Sequence, residues 1–138
     1  MKRALEQFGG IATRRELIAA GWAKEYIDMA VYYRTMIIPR RGWYALPGTP
    51  EVVIRAIRVG GRLACVSALA YHRGEEVESP LHLVVPKSAS RLRTGGEPGL
   101  VLHWSRRHLE GDRVAVSESV ADRQARNCAQ RASLTRCT

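Results

Sequence analysis

An α+β fold follows from three features of the sequence. Short amphipathic segments punctuated by glycine fill residues 2–34. A cationic reversal flanked by apolar and aromatic residues occupies 37–48. Two alternating apolar runs, LHLVV and LVLHWS, follow further helical stretches. The expected architecture is an N-terminal winged helix-turn-helix over residues 1–48, a small α+β unit with a short β-sheet over 49–113, and a weakly structured tail over 114–138.

The first segment, Lys2 to Phe8, places Ala4, Leu5 and Phe8 on one side of a short helix that Gly9-Gly10 ends. Thr13 followed by Glu16 is a capping-box pattern: the hydroxyl accepts the amide of the third helical residue and the carboxylate reaches back to the cap amide. A second helix is therefore expected from Arg14 to Ala20, with Leu17 and Ile18 inward and Gly21 as its stop. Beyond the turn, AKEYIDMAVYYRTM has helical spacing that turns Ile27, Ala30 and Val31 to the core and Lys24, Glu25, Asp28 and Tyr32 outward. Two helices joined at Gly21 make a helix-turn-helix pattern, and the outward set lies on the face that such a motif presents to a major groove.

Ile37 to Gly48, IIPRRGWYALPG, reads as a β-hairpin with Arg40-Arg41 at its tip and Gly42 supplying the positive φ of a tight reversal. A basic hairpin directly after short helices is the order of parts in a winged helix. Thr49 as cap and Pro50 as first helical residue start another helix, Glu51 to Val59, with Val53, Ile54 and Ile57 inward and Gly60-Gly61 as its stop. Ala64 to Arg73 is a further helix rich in small residues. Ser67, His72 and Glu75 lie close to it, but no G-x-S-x-G elbow surrounds the serine, so a packed helix is expected there and not a hydrolase site.

Leu81 to Val85 and Leu100 to Ser105 alternate as strands. The linker between them carries Lys87, Arg91 and Arg93 with Gly95-Gly96, a surface loop and a candidate second basic patch. Residues 106–116 have room for one more short strand, and a weak helix with a frayed end is expected near Val120 to Ala132.

Composition narrows the chemistry. Lys+Arg 22 against Asp+Glu 13 gives a net charge of +9, which favours an anionic partner, and a hydrophobic fraction of 46% is enough to bury a core. No apolar run approaches the roughly 18 residues of a membrane span, and the residues after Met1-Lys2-Arg3 lack a signal-peptide core, so a cytoplasmic protein without membrane contact is expected. Cys65, Cys128 and Cys137 are widely spaced without any C-x-x-C, which indicates neither a disulfide framework nor a zinc finger. His82 and His103 fall in runs able to pair with both rings on one face. No third ligand stands at a defined spacing, so neither metal nor cofactor is expected.

The chain resembles the AbiEi-like antitoxins of type IV toxin–antitoxin systems, in the form common in actinobacteria and their phages. The resemblance rests on FGGIATRRELIAAG, Ala30-Val31, PRRGWYALPGTP, GGRLACVSALAYH, and LHLVVP followed by VLHWS, and covers Leu5 to Ser105. It implies that Thr13 to Ala20 is the first helix of the motif, Lys24 to Tyr33 the recognition helix, and Arg40-Arg41-Gly42 the wing. It also implies a non-enzymatic transcriptional repressor binding operator DNA, or alternatively an antitoxin that neutralises a nucleotidyltransferase-like toxin, with the winged helix as scaffold. The expected DNA-binding residues are Thr13, Arg14, Arg15, Lys24, Glu25, Asp28, Tyr32, Arg40 and Arg41, the partner is double-stranded DNA, and a homodimer is left open. The chain departs from family members in mixing Lys24 with Glu25 and Asp28 where they often carry several Arg, and in having Arg34 where they tend to carry Gly. Related proteins lead into a Vsr-like endonuclease domain. Here the residues after Ser105 leave no room for one and hold no Asp/Glu-x-Lys constellation, so no nuclease activity is expected.

Overall fold

The computed structural model describes residues 2–89, 92 and 99–136, and the chain divides into two compact units, residues 1–58 and 59–138. The α+β class expected from the sequence is the class observed. The division falls ten residues beyond the 48/49 boundary drawn from the sequence, because the helix after Pro50 groups with the N-terminal unit almost to its end.

In the first unit, α1 (Lys2–Gln7) leads into β1 (Ile11–Thr13), α2 (Arg14–Ala19), α3 (Lys24–Tyr32) and β2 (Trp43–Ala45), and α4 (Glu51–Val59) follows. The capping box at α2 forms in full: Glu16 donates its amide to Thr13 Oγ1 at 3.1 Å, and the Thr13 amide donates to Glu16 Oε1 at 3.0 Å. β1 and β2 pair antiparallel, with Ile11 opposite Ala45 and Thr13 opposite Trp43. On the other side of Ala45, Ile37 exchanges both backbone hydrogen bonds with it, and Trp43 N donates to Arg40 O to close the reversal at Gly42, where φ is +85°. The expected hairpin is thus one bridge and a turn. Pro39, with no N–H to give, stops the ladder from extending towards the tip.

Leu5, Ala12, Leu17, Ile27, Ala30, Met36 and Tyr44 form the core of this unit, with Phe8, Trp22, Val31 and Leu46 packed against it. Ile18, expected inward, is exposed. On a helix of only six residues the buried stripe is one residue wide, Leu17 occupies it, and the next residue is turned about 100° away. α3 ends in a Schellman motif: Thr35 N donates to Ala30 O at 2.9 Å and Arg34 N to Val31 O at 3.0 Å, with Arg34 itself left-handed at φ +59°. Arg34 therefore holds the backbone in the conformation that a glycine takes most readily.

The second unit contains β3 (Arg62–Leu63), α5 (Cys65–His72), β4 (His82–Pro86), β5 (Val101–Ser105) and α6 (Glu118–Arg136). The sheet order is β3-β4-β5, with β3 antiparallel and β5 parallel to the central strand. Leu83, Val84 and Val85 are buried on both faces of β4, as suits a central strand with a parallel neighbour. On the far edge of β3, Leu63 N donates to Val114 O and Val116 N to Leu63 O. The short strand expected within residues 106–116 is this bridge at Ala115.

The weakly structured tail expected over residues 114–138 is corrected. Val114, Ala115, Val116, Val120 and Ala121 are buried, and the helix extends over 19 residues to Arg136, packed along α5. Ser117 caps it, its hydroxyl accepting the Val120 amide. The small residues that weaken the hydrophobic signal are what let two helices approach closely.

Candidate functional site

In the first unit the outer face of α3 is uncovered. Lys24, Glu25, Asp28, Met29, Tyr32 and Tyr33 are exposed, Tyr32 at 80% and Tyr33 at 67%, with their rings edge to face at 5.2 Å. Lys24, Glu25, Asp28 and Tyr32 thus share the outward face the helical spacing assigns them. Tyr26, 49% exposed, stacks on Trp22 at 5.2 Å. Met29 and Tyr33 join this face although the sequence reading did not single them out; the same helical period that buries Ile27 and Ala30 turns Met29 outward.

The other expected contact residues divide by what their side chains already do. The Thr13 hydroxyl is committed to the α2 cap. Arg14 bonds Asp28 Oδ1 at 3.1 Å and the Tyr44 hydroxyl at 2.8 Å, tying the start of α2 to α3 and β2. The hydrogen bond to Asp28, then that to Tyr44, hold the guanidinium charged more firmly than usual. Asp28 therefore has its cation across the helix pair, not in a neighbour on its own helix. Arg15 and Arg41 are exposed, whereas Arg40 is half-buried and reaches Arg58 O at 3.4 Å. In the second unit Lys87 is exposed. Arg91 and Arg93, the rest of the expected second patch, lie outside the described residues.

The second unit assembles a different constellation. His82 on β4 and His103 on β5 point to one side of the sheet, with His82 Nδ1 3.2 Å from His103 Nε2. Cys128 of α6 brings Sγ to 3.7 Å from the same His103 nitrogen, and Cys65 at the start of α5 completes the group. The four ligand-capable atoms all lie within 4.8 Å of one another. Burial pushes the Cys65 thiol up to about 11, and burial lowers the pKa of His82. The histidine pairing is legible in the strand pattern, whereas neither cysteine carries a spacing signal. Cys137 lies outside the described residues.

The residues considered for hydrolysis do not converge. The buried Ser67 hydroxyl accepts the His82 amide at 2.9 Å, and His72 Nε2 lies 2.7 Å from Val116 O. No helix among the described residues is long and apolar enough to cross a membrane. No family model matches the sequence, and no curated protein matches it.

Proposed function

We propose that this chain is a DNA-binding, antitoxin-like transcriptional repressor whose N-terminal unit acts as a winged helix. The observation that carries the reading is the exposed outer face of α3, followed in the chain by a reversal tipped by Arg40 and Arg41 that links the Ile37 bridge to β2, the strand paired with β1. Helix, strand, two helices and a basic reversal is the order of parts that places the second helix of the pair in a major groove and the wing along the backbone.

Residue roles follow from what each side chain is free to do. Arg41 and Arg15, exposed, contact phosphate and add salt-dependent affinity with no sequence preference. Lys24, at the N-terminal end of α3, is the base-reading candidate, able to donate to guanine O6 and N7. Asp28 would be repelled by phosphate if unpaired; its bond to Arg14 offsets that charge and removes it from base readout.

One observation favours a second reading, a toxin-neutralising antitoxin. Met29, Tyr32 and Tyr33 expose apolar and aromatic surface of the kind enriched at protein interfaces.

A fluorescence-anisotropy titration on the promoter of its own operon and on random duplex, at several salt concentrations, tests the proposal. Lys24→Ala is expected to lower operator affinity by about 1–3 kcal/mol with little change on random DNA. Arg40→Ala combined with Arg41→Ala is expected to weaken binding on both duplexes and to reduce the salt slope by about one for each phosphate no longer neutralised. A parent protein with no salt-dependent binding to either duplex would leave the toxin-binding reading in its place.

A further inference from the structure

The cluster in the second unit has the donor set and the dimensions of a closed metal site. Tetrahedral zinc binds His nitrogen at about 2.0–2.1 Å and Cys sulfur at about 2.3 Å. Those radii put two nitrogens about 3.3 Å apart and a nitrogen and a sulfur about 3.6 Å apart around one ion. The observed separations are 3.2 Å for His82 Nδ1 to His103 Nε2 and 3.7 Å for Cys128 Sγ to His103 Nε2, with all four ligand atoms inside 4.8 Å. That space suits a single ion and is too small for two irons with bridging sulfides.

We propose that Cys65, His82, His103 and Cys128 bind one zinc ion, a structural Cys2His2 site that joins α5, β4, β5 and α6. Two thiolates and two imidazoles are a borderline-soft set that favours zinc over the hard, oxygen-binding cations. Four protein ligands fill the tetrahedron and leave no open position for water, so the ion holds the fold together and performs no hydrolysis. On binding, the Cys65 and Cys128 thiols each release a proton to solvent while the imidazoles bind neutral. The two thiolates cancel the charge of the ion.

The surrounding backbone is arranged for this geometry. Gln124 Oε1, one helical turn before Cys128 on α6, accepts the Cys65 amide at 3.0 Å and so fixes one ligand from the helix that supplies another. Cys65 itself is left-handed at φ +55°, a conformation that a non-glycine residue rarely holds without cause. Ser67 anchors the His82 amide. These partners orient the ligands before the ion arrives, as outer-shell groups do in zinc sites. The site lies wholly in the second unit and is independent of the DNA-binding proposal.

The test begins with the full chain purified without added metal or chelator. Elemental analysis is expected to give about one zinc per chain. Exchange for Co²⁺ should give the intense visible d–d bands of a tetrahedral ion, with thiolate-to-cobalt charge transfer in the near ultraviolet. In denaturant, where burial no longer shields them, a thiol reagent should count all three cysteines once the metal is chelated, and under native conditions Cys65 and Cys128 should be protected in the zinc form. Removal should also lower the melting temperature. Cys65→Ser, Cys128→Ser and His103→Ala should each lose stoichiometric zinc, and Cys137→Ser should retain it. If a ligand variant fails to fold, the cobalt spectrum and thiol count of the parent protein decide the matter. The proposal is overturned if protein dialysed against Zn²⁺ holds substoichiometric metal, if the cobalt form lacks the thiolate bands, or if Cys65 and Cys128 are joined as a disulfide in protein kept under reducing conditions.

Discussion

Truncating Ile27 to alanine tests the packing that presents α3. Its side chain is fully buried among Leu5, Leu17, Met36 and Tyr44, whereas Met29, two residues on, is 54% exposed. Removing three buried carbons at about 0.8 kcal/mol each forfeits about 2.4 kcal/mol of transfer free energy. The cavity left in a core that relaxes only partly raises the loss towards about 4 kcal/mol. Alanine's better helix propensity returns a few tenths, roughly 0.4 kcal/mol. Ile27→Ala should therefore cost about 2–4 kcal/mol, a large share of the roughly 3–9 kcal/mol expected for a unit of this length. The melting temperature of the unit should fall by about 10 °C or more. Met29→Ala, on the same helix but in solvent, should change stability by no more than about 0.5 kcal/mol. Urea unfolding followed by hydrogen exchange at the α3 amides separates this unit from the second. Equal losses for the two variants, or a larger one for Met29→Ala, would show that α3 faces the other way and would withdraw Lys24 from any groove.

Two further perturbations probe the backbone. Gly61→Ala would set a Cβ 2.8 Å from Val84 O and 3.0 Å from Val85 Cγ1, so β3 must shift from β4 at a cost of about 1–3 kcal/mol. A variant melting with the parent would mean that the two strands do not approach so closely. At position 34, relief of left-handed strain of about 1–2 kcal/mol exceeds the roughly 0.4–1 kcal/mol of unfolded-state freedom that glycine adds. Arg34→Gly should therefore melt at or slightly above the parent, and Arg34→Val, β-branched, clearly below it. A valine variant as stable as the parent would refute the Schellman ending of α3.

The features legible along the chain are local ones. The Thr13–Glu16 capping box, the stop at Gly21, the reversal at Gly42 and the inward positions Ile27 and Ala30 all depend on residues within a few places of one another. Short-range hydrogen bonding and helical period are therefore enough to place them. The strands at 82–86 and 101–105 are legible from alternation, and with them the shared face of His82 and His103. Other features exist only once the elements pack. Arg14 meets Asp28 and Tyr44 only because β1, α2, α3 and β2 fold onto one core, and no spacing announces that pairing. The long helix 118–136 gains its stability from close approach to α5, which small side chains allow but do not signal. Cys65 and Cys128 carry no motif because their spacing is set by the packing of two helices and a sheet and not by one turn of chain. Four ligands that look unrelated along the sequence come within 4.8 Å only when those elements are assembled.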